Sequence, residues 1–184
     1  WEKSVGTLTR EDVTAFHART FRPDNAMLAV VGDVDPAAVK AALEQAFAGW
    51  KANGAKPGDA YTAVPQARGR LVLIVNKPEV TQTQIRLACM GVPRNHPDYY
   101  PITVANTILG AGFTSRLVNE IRVVQGLTYS ISSRFGMFRN AGTFRISTFT
   151  KNETLRKTID ETLKVVKGLL DIGPTEEELA KAKR

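Results

Sequence analysis

Gly126 is the residue that most restricts what this chain can fold into, because it separates a stretch that repeats like a helix from one that alternates like a strand. The backbone must turn there. Leu117, Val118 and Ile121 recur at helical spacing after Thr114, a residue suited to cap a helix, and Gly126 is suited to end that helix in a left-handed conformation. From Leu127 to Met137 the pattern becomes that of a strand. Arg122 therefore falls in the helix's last turn and Tyr129 just past the junction, so a guanidinium and a phenol, both hydrogen-bond donors, converge. Two readings stand side by side: the pair serves a ligand, or Arg122 complements the negative end of the helix dipole and Tyr129 is an ordinary half-buried strand aromatic.

The rest of the chain alternates in the same way. Thr9 to Asp12 opens a helix through about Thr20, and Pro23-Asp24-Asn25 turns the chain into an apolar strand, Ala26 to Val31. Asp35 caps the next helix with Pro36 in its first turn, and Val39, Leu43, Phe47 and Trp50 form its expected buried side. Lys51 to Gly69 is rich in Gly, Pro, Ala and Lys and reads as a mobile linker. Arg70 to Asn76 and Thr81 to Met90 read as strands, and Asp98 to Leu109 as a helix. Tyr129 to Phe138 and Thr143 to Thr150 make a hairpin around Asn140-Ala-Gly142. Asn152 is positioned to cap a helix whose expected apolar stripe is Leu155, Ile159, Leu163, Val166 and Leu170. Hairpins interrupting the alternation favour an α+β domain, an antiparallel-rich mixed sheet covered on one face by helices, over a doubly wound parallel fold. With 184 residues, 43% of them hydrophobic, one domain spanning 1–184 can bury about 70% of its unfolded surface without disulfides.

Several chemistries lack their residues. A zinc site needs histidines or cysteines spaced to share a face, whereas His17 and His96 lie far apart and Cys89 is the only thiol, expected to pack as a small apolar residue. No metal site is encoded. Gly32-Asp-Val-Asp-Pro36 is what a strand-to-helix turn requires, which accounts for Asp33 and Asp35 without acid–base work. Ser115, Ser130, Ser132 and Ser133 have no histidine placed beside them as a base. The net charge of +7 raises nucleic-acid binding as a competing class, but the basic residues are scattered, and Arg134-Phe-Gly-Met-Phe138 carries only a fragment of an RNA-binding strand pattern. No apolar run approaches the roughly 20 residues that span a bilayer. Trp1-Glu-Lys-Ser is neither a starting methionine nor a signal peptide, and the capping box Thr175 to Glu178 opens a helix with no terminator before Arg184, so a piece of a longer chain is expected.

Ile108-Leu-Gly-Ala-Gly-Phe-Thr-Ser-Arg-Leu117, followed by Glu120-Ile-Arg122 and Gly126-Leu-Thr-Tyr129, closely resembles the second half of insulinase-type (pitrilysin-like) zinc metallopeptidases, the family of the mitochondrial processing peptidases. Phe21-Arg-Pro-Asp-Asn-Ala-Met-Leu-Ala-Val-Val-Gly-Asp33, Phe47-Ala-Gly-Trp50, Lys77-Pro78, Gln82-Thr-Gln84 and Pro97-Asp-Tyr99 extend the likeness over nearly the whole chain. Gly110-Ala111-Gly112 departs from the family's usual glycine triplet, and Val123-Val124 replaces a charged pair. The resemblance implies a LuxS- and processing-peptidase-like half-domain fold. It also implies the zinc-free half, since the family's His-x-x-Glu-His motif is absent; zinc is then expected in a partner half, in the same chain or a separate subunit. There a zinc-bound water attacks a peptide carbonyl while Arg122 and Tyr129 stabilise the transition state across an enclosed chamber. Substrate contacts are implied at Gly110, Gly112, Phe113 and Ser115, with an extended peptide as substrate and neither nucleic acid nor a membrane span involved. The family favours the bacterial periplasm, with cytoplasm or mitochondrial matrix as alternatives. A scaffold subunit of the same fold is the alternative function.

Overall fold

The structure, a computed structural model, describes residues 2–52, 54, 56, 58 and 69–184, which fall into two compact units, Trp1–Ala63 and Val64–Arg184. The expected linker, Lys51 to Gly69, lies mostly outside the described residues.

The first unit carries three helices: α1 (Glu2–Gly6), α2 (Arg10–Thr20) and α3 (Pro36–Phe47). Local chemistry accounts for where they begin. The Thr9 hydroxyl accepts the Asp12 N–H at 3.1 Å while the Asp12 carboxylate accepts the Thr9 N–H at 2.9 Å, so two orphan donors of α2 are satisfied together. Asp35 accepts the Ala37 N–H at 2.8 Å and Pro36 opens α3. Burial does not follow from these caps. Val39 and Leu43 are only half-buried, and Phe47 and Trp50 remain 49% and 40% exposed, unlike the buried stripe expected of them. Ala26 to Val31 is likewise not hydrogen-bonded into a sheet. A strand needs a paired neighbour, and no strand is assigned among the described residues of this unit. Its one buried side chain there is Arg22, whose guanidinium grips Asp24 through two bonds of 2.8 Å and reaches the Gly54 carbonyl at 2.9 Å.

The second unit is built on three antiparallel strands, β1 (Gln82–Gly91), β2 (Ile131–Met137) and β3 (Gly142–Lys151), in the order β1-β3-β2. The 131–151 hairpin forms as its turn chemistry predicts, closed by the Phe138 N–H to the Ala141 carbonyl. The α+β class stands, and the pairings among the described residues are antiparallel. Arg70 to Asn76, expected as a strand, has no ladder partner among the described residues, and Leu71 to Val75 are largely exposed. Helices α4 (Tyr99–Asn106), α5 (Leu155–Ile172) and α6 (Glu176–Ala182) complete the unit, with a π-helical turn at Thr107–Ala111 and a π-helix at Val118–Val124. One face of the sheet is covered: Ile131 and Ile146 pack with Leu109, Leu117, Val118, Ile121 and Leu127, flanked by Val165, Val166 and Leu169 of α5. Leu117 and Ile121 are fully buried. Cys89 shares the strand register of the covered face but lies toward the strand's end and is exposed, against expectation.

The stripe of α5 is rotated from the one its aliphatic residues suggest. Leu163 and Leu170 are exposed, and the buried residues are Thr158 and Thr162. Each threonine hydroxyl donates to the carbonyl one turn earlier, Thr158 to Thr154 at 2.9 Å and Thr162 to Thr158 at 2.6 Å, which leaves a methyl group to pack inward. Asn152 is not the helix cap either; its side chain accepts from Thr83 at 2.7 Å and donates to the Val80 carbonyl at 2.9 Å, tying the start of β1 to the end of β3.

Candidate functional site

Arg122 and Tyr129 meet as the junction predicts. Gly126 has φ of 60°, the left-handed value that ends the Val118–Val124 helix, and the Leu127 N–H reaches back to the Ile121 carbonyl at 3.0 Å. The Gln125 N–H bonds the Glu120 carbonyl at 2.9 Å, a π-type closure that widens the last turn where Arg122 projects. The Arg122 guanidinium then lies 5.2 Å from the centre of the Tyr129 ring and 5.3 Å from that of Phe113. Phe113 and Tyr129 are 79% and 76% exposed, so two rings stand in solvent with one cation close to both. Among the described residues no carboxylate or carbonyl accepts from Arg122, and the Tyr129 hydroxyl has no partner. Glu120, the nearest acidic residue in sequence, is engaged by the Gln125 side chain at 3.0 Å.

The strap carrying Tyr129 is pinned from beneath by hydroxyls that the sequence reading did not single out. Thr150 donates to the Leu127 carbonyl at 2.7 Å, and Thr148 donates to the Ser130 carbonyl at 2.9 Å, so the strap is held on both sides of Tyr129. Thr158 in turn donates to Thr150 at 3.1 Å, linking the strap to α5. Their signal was present as Thr148 and Thr150 on one strand face and Thr154, Thr158 and Thr162 at helical steps, but threonines at those positions read equally well as solvent-facing.

The remaining residues named from the sequence divide between surface and interior. Phe113 stacks on Arg122, and Gly112 is half-buried, its N–H closing a π turn on the Thr107 carbonyl at 3.3 Å. Gly110 is buried where a Cβ would lie 2.5 Å from the Ser133 hydroxyl and 2.8 Å from Leu117. Ser133 is held there by its bond to Asn106, 2.7 Å. Ser115 is 4% exposed and its hydroxyl has no partner among the described residues. Gly110 and Ser115 are thus interior, unlike the exposed rings of Phe113 and Tyr129.

A groove of about 410 Å³ runs on another side of the same helix, between Arg116, Asn119, Glu120, Glu161, Lys164 and Val165. Its charges answer one another. Arg116 grips Glu178 of α6 through bonds of 2.6 and 2.7 Å and reaches the Gly173 carbonyl at 2.8 Å, and Lys164 pairs with Glu161 at 3.4 Å. The Arg116 guanidinium, helped by the Thr175 N–H, holds the Glu178 carboxyl down at about 2.

The residues do not fit zinc. Among the described residues no group of three or more His, Cys, Asp and Glu converges; His17 stacks on Phe21 at 4.9 Å and His96 Nδ1 accepts the Asp98 N–H at 3.2 Å. No helix is long and apolar enough to cross a membrane among those residues.

Comparison with known proteins agrees with this architecture. Residues 7–184 match the model of the peptidase M16 inactive domain. The chain is 26% identical over 181 residues to an uncharacterized zinc protease of Mycobacterium tuberculosis, covering 98% of this chain and 41% of that protein. The crystal structure of a peptidase M16 inactive domain from Pseudomonas fluorescens superposes with a TM-score of 0.84 at 32% identity, covering 99% of this chain and 43% of the other. A protease from Helicobacter pylori superposes with a TM-score of 0.90 at 24% identity, covering 100% and 45%, and shows the fold. The chain therefore spans less than half the length of each of these relatives.

Proposed function

We propose that this chain, which belongs to the peptidase M16 inactive-domain family, supplies oxyanion stabilisation and substrate contacts to peptide-bond hydrolysis carried out with a His-x-x-Glu-His partner half. The observation that carries the reading is Arg122: a guanidinium within 5.3 Å of the ring centres of both Phe113 and Tyr129 yet lacking an acceptor among the described residues. The cation–ring contacts hold the charge in place without using its N–H groups, which leaves those donors for an acceptor that enters the site. A peptide carbonyl oxygen gains negative charge as its carbon becomes tetrahedral, so donors held ready for it stabilise the transition state more than the ground state. Tyr129 adds a neutral donor from the threonine-pinned strap. Phe113 offers an apolar ring to a substrate side chain, while Gly110, Gly112 and Ser115 shape the turn that presents it. Strand β2 begins just beyond Tyr129 and lies at an edge of the sheet, where an extended peptide can add as a further strand.

The test is kinetic and uses the chain assembled with its partner half. Replacing Arg122 by alanine or Tyr129 by phenylalanine is expected to lower kcat by roughly 10²-fold while KM changes little. Variants that assemble normally and keep wild-type kcat would make both residues framework and return the chain to the scaffold reading.

A further inference from the structure

The sheet has a second face, on the side away from the helices of its own unit that pack on Ile131 and Ile146. Its three strands contain no aspartate or glutamate at any position. The register places Arg134 of β2 directly opposite Arg145 of β3, and Arg86 of β1 one pair further along, opposite Ser147, which also faces Ser132. Arg86, Arg134 and Arg145 are all exposed, and they share a face opposite to that of the buried Ile85, Ile131 and Ile146. Like charges directly across a strand pair are destabilising, and nothing on this face offsets them. Arg86 lies along the strand, donating to the Ile85 carbonyl at 2.9 Å, whereas Arg134 and Arg145 have no acceptor among the described residues.

We propose that this face binds an acidic, extended segment of the peptide substrate. The inference rests on the reading that the chain handles peptides and adds a substrate class to it. Charge complementarity chooses the occupant: two unanswered guanidiniums in fixed register, with a third one strand away, suit carboxylates spaced along an extended chain, each able to take two N–H bonds. Nucleic acid suits the face less well. Phe149 is its only aromatic residue, whereas single strands are held on several stacked rings.

The experiment measures fluorescence anisotropy of the 184-residue chain with labelled deca-glutamate, a neutral Gly-Ser decapeptide and a ten-nucleotide oligothymidylate, over a salt series. Deca-glutamate is expected to bind more tightly than either other probe. The double variant Arg134→Gln/Arg145→Gln is expected to weaken it about tenfold and flatten its salt dependence. Because the substitution removes a like-charge pair, the thermal midpoint should hold or rise, which separates lost binding from lost folding. Lys157→Gln on α5, which packs against the opposite face of the sheet, should leave deca-glutamate binding within about twofold, and because the measurement involves no turnover its outcome is separate from that of the kinetic test of Arg122 and Tyr129. Equal binding of acidic and neutral peptides, an unaffected double variant, or tighter binding of oligothymidylate would each overturn it.

Discussion

Helices α3 and α5 show how little a good helix start says about burial. α3 has the better cap, Asp35 on the Ala37 N–H with proline behind it, whereas α5 has no side-chain cap. Nevertheless α3 buries no residue and α5 buries Thr158 and Thr162 completely. The difference lies opposite the helix. α5 faces a sheet whose covered side offers Ile146 and whose end offers the Thr150 hydroxyl, so both its apolar and its polar groups find partners. Within the first unit no paired strand stands among the described residues to receive the apolar side of α3.

The largest expected effect tests that contrast directly. Leu117→Ala removes a fully buried side chain and should cost about 3–4 kcal/mol, whereas Leu43→Ala on half-buried α3 should cost less than about 1 kcal/mol; urea denaturation of both variants measures the gap. Similar losses would erase the distinction between the two regions.

A smaller effect concerns α6, which is tied to the core unit by charge. Glu178→Gln should destabilise by on the order of 1–2 kcal/mol at neutral pH, after allowing for solvent screening of a partly exposed pair. The folded carboxyl titrates near 2, below its ordinary 4.5, so its stabilisation is complete above about 4.5 and disappears as pH falls toward 2. Thermal melts of wild type and variant should therefore converge in acid, and a pH-independent difference would point to packing instead of ionisation.

The smallest effect sharpens the role of the hydroxyl ladder. Thr150→Val keeps the volume but leaves the Leu127 carbonyl without its donor, at a cost of about 1 kcal/mol, while Thr150→Ser should restore much of it. Chemical denaturation with both substitutions distinguishes the hydrogen bond from the methyl contact.

Much of the site was legible because it depends on neighbours in sequence. Arg122, Gly126 and Tyr129 lie on one short junction, and a left-handed glycine between a helix and a strand brings its flanks together by local geometry alone. Phe113 was named, but its stacking on Arg122 depends on how the 107–117 turn winds, which includes a π closure with no sequence signature. The threonine ladder was illegible for another reason: a threonine's hydroxyl can face water or a carbonyl, and only the packed partner decides which.

The sequence by itself determined the helix starts at Thr9, Asp35 and Thr175, the hairpin around Asn140-Ala-Gly142, the Gly126 junction and the absence of paired histidines, all properties of residues close along the chain. Only the tertiary structure decided which face of α5 turns inward, that Asn152 ties two strands instead of capping a helix, and that Arg134 and Arg145 stand opposite each other on an open sheet face. Those outcomes depend on register and on groups distant in sequence, where the free energy of a side chain is set by what it meets and not by its own preference.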